Sequence, residues 1–270
     1  AMLGDVGDYL AVLTRSKMKN GGIRKDGGMK LELLAKRGQY AAKHVYSVGT
    51  RNPHTPAWMH VIPTPDGWPE PEAEDVLRTL GQYNPSQGTL FDGMTITSYA
   101  PDSETGSFHT QQQRGTDLDH AWVYMLPAHA FGSSLSQYTR GGPGTTFESL
   151  PTDKSRSGLQ GLRVSIEQPT RETPSHIQAD IWCDPTKGFV PVEFLVQLVR
   201  EGSPPLRVER HVFTEFTTLG NGRFCPRVWQ ETIAQSGETY ECHLAVLPNQ
   251  TPDETWLSLP KYLPDQPPQR

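Results

Sequence analysis

Between His176 and Leu247 the chain alternates apolar and polar residues in five runs, and a turn signal separates each run from the next. Strand side chains point to opposite faces at period two, so this pattern reads as strands. His176–Cys183 puts Ile177, Ala179 and Ile181 on one side and Gln178, Asp180 and Trp182 on the other. Asp184-Pro185-Thr186-Lys187-Gly188 follows and suits a type I turn. Val190–Arg200 carries Val192, Phe194, Val196 and Leu198 at period two, and Gly202-Ser203-Pro204-Pro205 ends it. Leu206–Leu219, Phe224–Ala234 and Thr239–Leu247 complete the set, joined at Gly220-Asn221-Gly222 and at Gln235-Ser236-Gly237-Glu238. Strands linked by tight turns form an antiparallel meander.

The hairpin register follows from the loop. Three loop residues at 220–222 set Phe213 opposite Trp229, Glu215 opposite Arg227 and His211 opposite Glu231. An aromatic pair and opposite charges across two strands contribute about 0.2–1 kcal/mol each, and a one-residue slip loses all three. In the last hairpin the same reasoning sets Trp229 opposite Leu244 and Ile233 opposite Tyr240. One face then holds Phe213, Trp229, Ile233, Tyr240, Leu244 and Val246, and the other Val212, Phe216, Phe224 and Val228. Both faces are partly apolar, so both call for a cover. These registers hold Cys183, Cys225 and Cys242 too far apart to bridge, which predicts three unpaired thiols.

The N-terminal half repeats the style. Tyr9–Lys19, Gly28–Lys36, Gln39–Val48, Ala57–Pro63, Met94–Tyr99, His120–Met125 and Leu162–Gln168 read as strands. Pro69–Leu80 reads as a helix, with four acids near its start and Gly81 after its end. Pro127–Tyr138 reads as a second helix, and 101–119 and 139–158 as polar loops. Residues 263–270 read as a Pro-rich flexible tail behind one β domain over 1–262. A chain of 270 residues fits a single all-β domain, and its 25 glycines and 24 prolines show no period.

Several functions drop out. No run approaches 18 apolar residues, so no helix spans a membrane. The net charge of −5 offers no basic footprint for nucleic acid. Charge is uneven: residues 1–60 carry ten basic side chains against four acidic ones, and 61–120 two against ten. The basic side chains near 15–37 read either as a solvated face or as a meeting point for anionic lipid heads. Metal binding is not expected, because Cys242-His243 sit side by side and point to opposite faces of a strand. No P-loop, dinucleotide fingerprint or nucleophile elbow is present, and no cofactor is expected. Ala1-Met2 reads as a cloning scar; Met2 as native start would mean a cytoplasmic protein, and otherwise a removed leader would mean export.

Three phrases carry a family resemblance: Phe91-Asp92-Gly93-Met94-Thr95-Ile96-Thr97-Ser98-Tyr99, Ile181-Trp182-Cys183-Asp184-Pro185-Thr186-Lys187-Gly188-Phe189-Val190-Pro191, and Phe224-Cys225-Pro226-Arg227-Val228-Trp229. With the order of elements over most of 5–260, they make the chain resemble the LolA-like outer-membrane lipoprotein-sorting proteins, especially their uncharacterised bacterial branch. The resemblance implies a mainly β (α+β) fold: a single strongly curved antiparallel sheet, an open half-barrel, with two or three short helices covering its concave side. It also implies a periplasmic or otherwise extracytoplasmic binding protein without enzymatic activity. The ligand would be a lipid or lipoprotein acyl chain, and the partner an acylated lipoprotein or another envelope protein.

Two residue sets have double readings. His211, Glu231, Glu215 and Arg227 are either cross-strand pairs at a sheet edge or a polar cluster in which His211 and Glu231 form a catalytic acid–base pair. Trp182, Phe213, Trp229, Tyr240 and Leu244 either pack the core or wall a ligand cavity. Besides lipid carriage, the sequence leaves open a sensor or interaction module of a membrane-anchored regulator, and an enzyme working through His211 and Glu231.

Overall fold

A computed structural model describes residues 7–19, 22–23, 29–48, 61–62, 77–78, 80–81, 83–102, 107–114, 129–130, 133–134, 141–152, 154–168, 175–200, 202–205, 207–219, 222 and 224–260. Its strands are β1 (Tyr9–Lys19), β2 (Gly22–Ile23), β3 (Met29–Arg37), β4 (Tyr40–Val48), β5 (Val61–Ile62), β6 (Gln87–Phe91), β7 (Thr95–Pro101) and β8 (Phe108–Arg114). The chain continues with β9 (His129–Ala130), β10 (Ser133–Ser134), β11 (Thr145–Leu150), β12 (Gln160–Gln168) and β13 (Ser175–Asp184). It ends with β14 (Val190–Arg200), β15 (Arg207–Thr218), β16 (Phe224–Ile233) and β17 (Glu238–Pro248). Short 3-10 turns cover Lys154–Arg156, Pro185–Lys187 and Glu254–Leu257.

The fold is mainly β. Thirteen strands follow one hydrogen-bonded path, β11-β12-β13-β14-β15-β16-β17-β1-β3-β4-β6-β7-β8, and the path does not close on itself. Two compact units divide it: Met125–Cys242 with Ala1–Leu3, and Gly4–Tyr124 with His243–Arg270. In the second unit Leu10, Val12, Leu31, Leu33, Ala35, Ala42, Tyr46 and Val48 from β1, β3 and β4 form one core face with Leu80. Trp256 and Leu257 of the last 3-10 turn pack against that face. Asp253 caps the turn by accepting from the Thr255 N–H at 2.9 Å.

The meander of the first unit matches the sequence reading strand for strand, and His211↔Glu231 and Phe213↔Trp229 pair as expected. A bulge at Thr214–Glu215 changes the next pair: Glu215 faces Val228, and the register returns at Phe216↔Pro226. Thr214 is the extra residue on β15 and Arg227 the extra residue on β16, so two irregularities offset each other and the ladder beyond is unmoved, which the loop length alone does not reveal. Asp184 accepts from the Thr186 N–H at 2.9 Å, and Gly188 closes the turn at φ 69, a left-handed angle that suits glycine. Cys183 and Cys225 are free thiols, and Cys242 forms no disulfide.

The helices are the main correction. Among the described residues no α-helix forms an element of the fold. The expected helix at 127–138 gives way to the short strands β9 and β10, paired Ser133↔Ala130 and Ser134↔His129. Gly132 and the serines at 133, 134 and 136 are poor helix formers and suit a reversal. Of the expected helix at 69–80, Leu77, Arg78 and Leu80 are helical and the Gly81 N–H closes on the Leu77 carbonyl at 3.1 Å; its start lies outside the described residues. The expected strand at 120–125 and the tail at 263–270 also lie outside them. Residues 101–119 and 139–158, expected as polar loops, hold β8 and β11. Both are terminal strands of the path and mostly exposed, so neither carries an apolar alternation.

Candidate functional site

Ladder partners share a face, so the registers of β11–β16 sort the first unit into two surfaces. One is apolar. Val164, Ala179, Ile181, Phe194, Val196, Phe213 and Trp229 are all buried on it. Toward β11 the same face continues through Leu162, Ile166, Ile177 and Leu198, each half-buried, and reaches Phe147, which is 51% exposed. The aromatic centre is the cross-strand pair Phe213–Trp229, with ring centroids 6.0 Å apart at 45°.

The candidate residues fall on this map unevenly. His211 and Glu231 lie directly opposite each other on the apolar face. His211 is 2% exposed and its ring sits 5.9 Å from Phe194. Glu215 and Arg227 approach to 4.0 Å, both half exposed, as an ordinary surface pair. Trp182, expected in one wall with Phe213 and Trp229, faces the other way: it pairs with Glu193, which pairs with Val212. There it covers Gly161, and the Arg156 guanidinium stacks on its ring at 4.6 Å. Glu193 holds that guanidinium through Nε at 3.1 Å and Nη2 at 3.0 Å, and accepts from Arg210 Nε at 2.9 Å. Arg163 forks onto Asp180 at 2.7 and 2.8 Å on the same polar face. Tyr240 donates its hydroxyl to Glu238 at 2.8 Å, and Leu244 is buried in the second unit.

The second unit holds two features that the sequence reading missed. On its core face His44, Gly88 and Tyr99 are successive ladder partners. His44 Nε2 lies 2.8 Å from the Trp256 carbonyl and Nδ1 lies 2.5 Å from the Tyr99 hydroxyl. A carbonyl only accepts, so Nε2 carries the proton and Nδ1 accepts from Tyr99. Burial lowers the His44 pKa against the opposing effect of the Trp256 bond, and burial raises that of Tyr99, helped by Tyr46. The imidazole is therefore neutral and serves as a fixed link between the sheet and the C-terminal turn.

On the opposite face of β3, β4, β6, β7 and β8 runs a groove of about 470 Å³. Lys30, Glu32, Lys43 and His109 bring charge or an imidazole to it, and Gln87, Thr89, Ser98 and Gln111 bring amides and hydroxyls. Lys43 pairs with Glu32 at 2.8 Å. The signal was present in the alternation Lys30-Leu31-Glu32-Leu33, but β6 and β8 were needed to complete the wall.

Among the described residues no three His, Cys, Asp or Glu side chains converge as metal ligands, and no helix is long and apolar enough to cross a membrane. No known family and no curated protein matches the chain. The structure is similar to that of a candidate outer membrane lipoprotein-sorting protein domain from Vibrio parahaemolyticus, at 11% identity and TM-score 0.44, over 92% of this chain and 88% of that one. It is also similar to a DUF1329 family protein from Desulfovibrio piger, at 7% identity and TM-score 0.38, over 95% of this chain and 91% of that one.

Proposed function

We propose that the protein is an extracytoplasmic, non-enzymatic binding protein that holds the acyl chain of a lipid or lipoprotein against the apolar face of β11–β16. In this reading the sheet curves about its ligand. The observation that carries it is the continuity of that face, from the buried Phe213–Trp229 pair through half-buried Leu198, Ile177, Ile166 and Leu162 to exposed Phe147. Six strands at about 4.8 Å spacing give the face a width near 24 Å along the sheet. A buried methylene contributes about 0.8 kcal/mol, so some ten methylenes supply the roughly 8 kcal/mol of a micromolar complex before ordering costs. The sequence resemblance to lipoprotein-sorting proteins points the same way.

Native mass spectrometry of the purified protein tests this. The expected result is a lipid-mass adduct, or one-to-one uptake of added palmitate by delipidated protein, weakened by Phe213→Ser. An adduct-free protein that takes up no palmitate overturns the reading.

A further inference from the structure

We propose that the groove across β3, β4, β6, β7 and β8 binds a phosphate ester of a polyol, either free or as the headgroup of a lipid. The inference is independent of the acyl-chain site. The lining is polar: Val45 and Ala100 supply its apolar side chains, and Tyr99, also on its wall, is buried with its hydroxyl on His44. Its charge is unbalanced. Glu32 occupies Lys43 at 2.8 Å, while Lys30 has no carboxylate partner among the described residues. Lys30 is also the direct cross-strand partner of Arg15. A phosphate on Lys30 leaves the Lys43–Glu32 pair in place beside it.

The neutral part of the lining fits the rest of such a ligand. Thr89 and Ser98 are ladder partners, as are Ser98 and Gln111, so two hydroxyls and a carboxamide form a row across β6, β7 and β8. Hydroxyls and carboxamides both donate and accept, which matches alcohol groups better than a second anion. The volume of about 470 Å³ is within the range of small-molecule sites. The groove also rests on a fixed base, because the His44–Tyr99 bond on the reverse face ties β4 to β7 across Gly88.

Isothermal titration of the full chain with glycerol 3-phosphate tests the proposal, with glycerol as the uncharged control. Glycerol 3-phosphate binds and glycerol does not; added salt weakens the binding. Lys30→Gln, at an exposed position, weakens it about tenfold or more, as expected for a lost charge-assisted hydrogen bond, and Lys154→Gln in the other unit leaves it unchanged. Flotation with phosphatidylglycerol vesicles separates the sources. Titration heat without flotation assigns the free ester; flotation that Lys30→Gln abolishes, absent with phosphatidylcholine, assigns the headgroup. Neither heat nor flotation, or an affinity indifferent to Lys30→Gln in a variant with wild-type circular dichroism, overturns it.

Discussion

Gly88→Ala is a sensitive probe of the second unit, because one methyl group there meets both the backbone and the buried imidazole link. A Cβ built on Gly88 lies 2.3 Å from the Lys43 carbonyl oxygen and 2.3 Å from the Tyr99 hydroxyl. The hydroxyl could swing aside, but the carbonyl belongs to the β4 backbone and cannot. Overpacking of this kind costs about 1–3 kcal/mol. Moving Tyr99 also forfeits its bond to His44, about 1 kcal/mol, and leaves a buried Nδ1 without its donor. Alanine recovers about 0.5–1 kcal/mol of backbone entropy relative to glycine. The balance is a destabilisation of about 2 kcal/mol, read as a lower urea midpoint at unchanged slope. Tyr99→Phe separates the two contributions, since it removes the hydrogen bond without adding the methyl. It should cost about 1–3 kcal/mol. A Gly88→Ala variant as stable as the parent, or more stable, would refute the packing described here.

Three other outcomes are expected. Gly161→Ala places a methyl 2.5 Å from the Trp182 ring and 2.8 Å from Leu150 Cβ, so it should cost about 1–3 kcal/mol and change the near-ultraviolet tryptophan circular dichroism; an unchanged spectrum would contradict the stacking. Lys187 and Thr186 hold the Asp184 carboxyl down at about 2, so the contribution of the 185–187 turn is complete above the ordinary carboxylate range and fades as pH falls toward that value. Carboxyl NMR should show this midpoint, with Lys187→Met returning it toward the ordinary value, and an ordinary midpoint in the parent would count against the pairing. Burial pushes the Cys225 thiol up to about 12 and Cys183 to about 11, so both should react slowly with iodoacetamide at pH 8 until the protein is unfolded. Rapid alkylation of Cys225 in the folded protein would show that its strand opens.

Legibility in the sequence followed burial. Strands with one apolar face announced themselves, and the turn at 220–222 was enough to place His211 against Glu231 and Phe213 against Trp229. The bulge at Glu215 was silent because it shifts a single pair. Strands β8 and β11 were silent because a terminal strand exposed on both faces has no reason to alternate. Trp182 misled by its type. An aromatic ring invites grouping with other aromatics, yet its position in the alternation puts it with Asp180 and Gln178, and the structure keeps it there under Arg156. The groove and the His44–Tyr99 link depend on registers across β4, β6 and β7; Asp92-Gly93 marks the turn between β6 and β7, but Gln87-Gly88-Thr89-Leu90-Phe91 has no apolar alternation to announce β6. Neither could be assembled before those strands were placed.

The central claim is that the face of Phe213 and Trp229, and not the face of Trp182, meets an acyl chain. Palmitate bearing a diazirine, bound to delipidated protein and irradiated, marks whatever it touches, and peptide mass spectrometry locates the marks. Adducts on Phe147, Leu162, Ile177, Leu198 and their neighbours on that face are predicted. Marks centred on Trp182 and Glu193, or none above an irradiated control protein, would contradict the account.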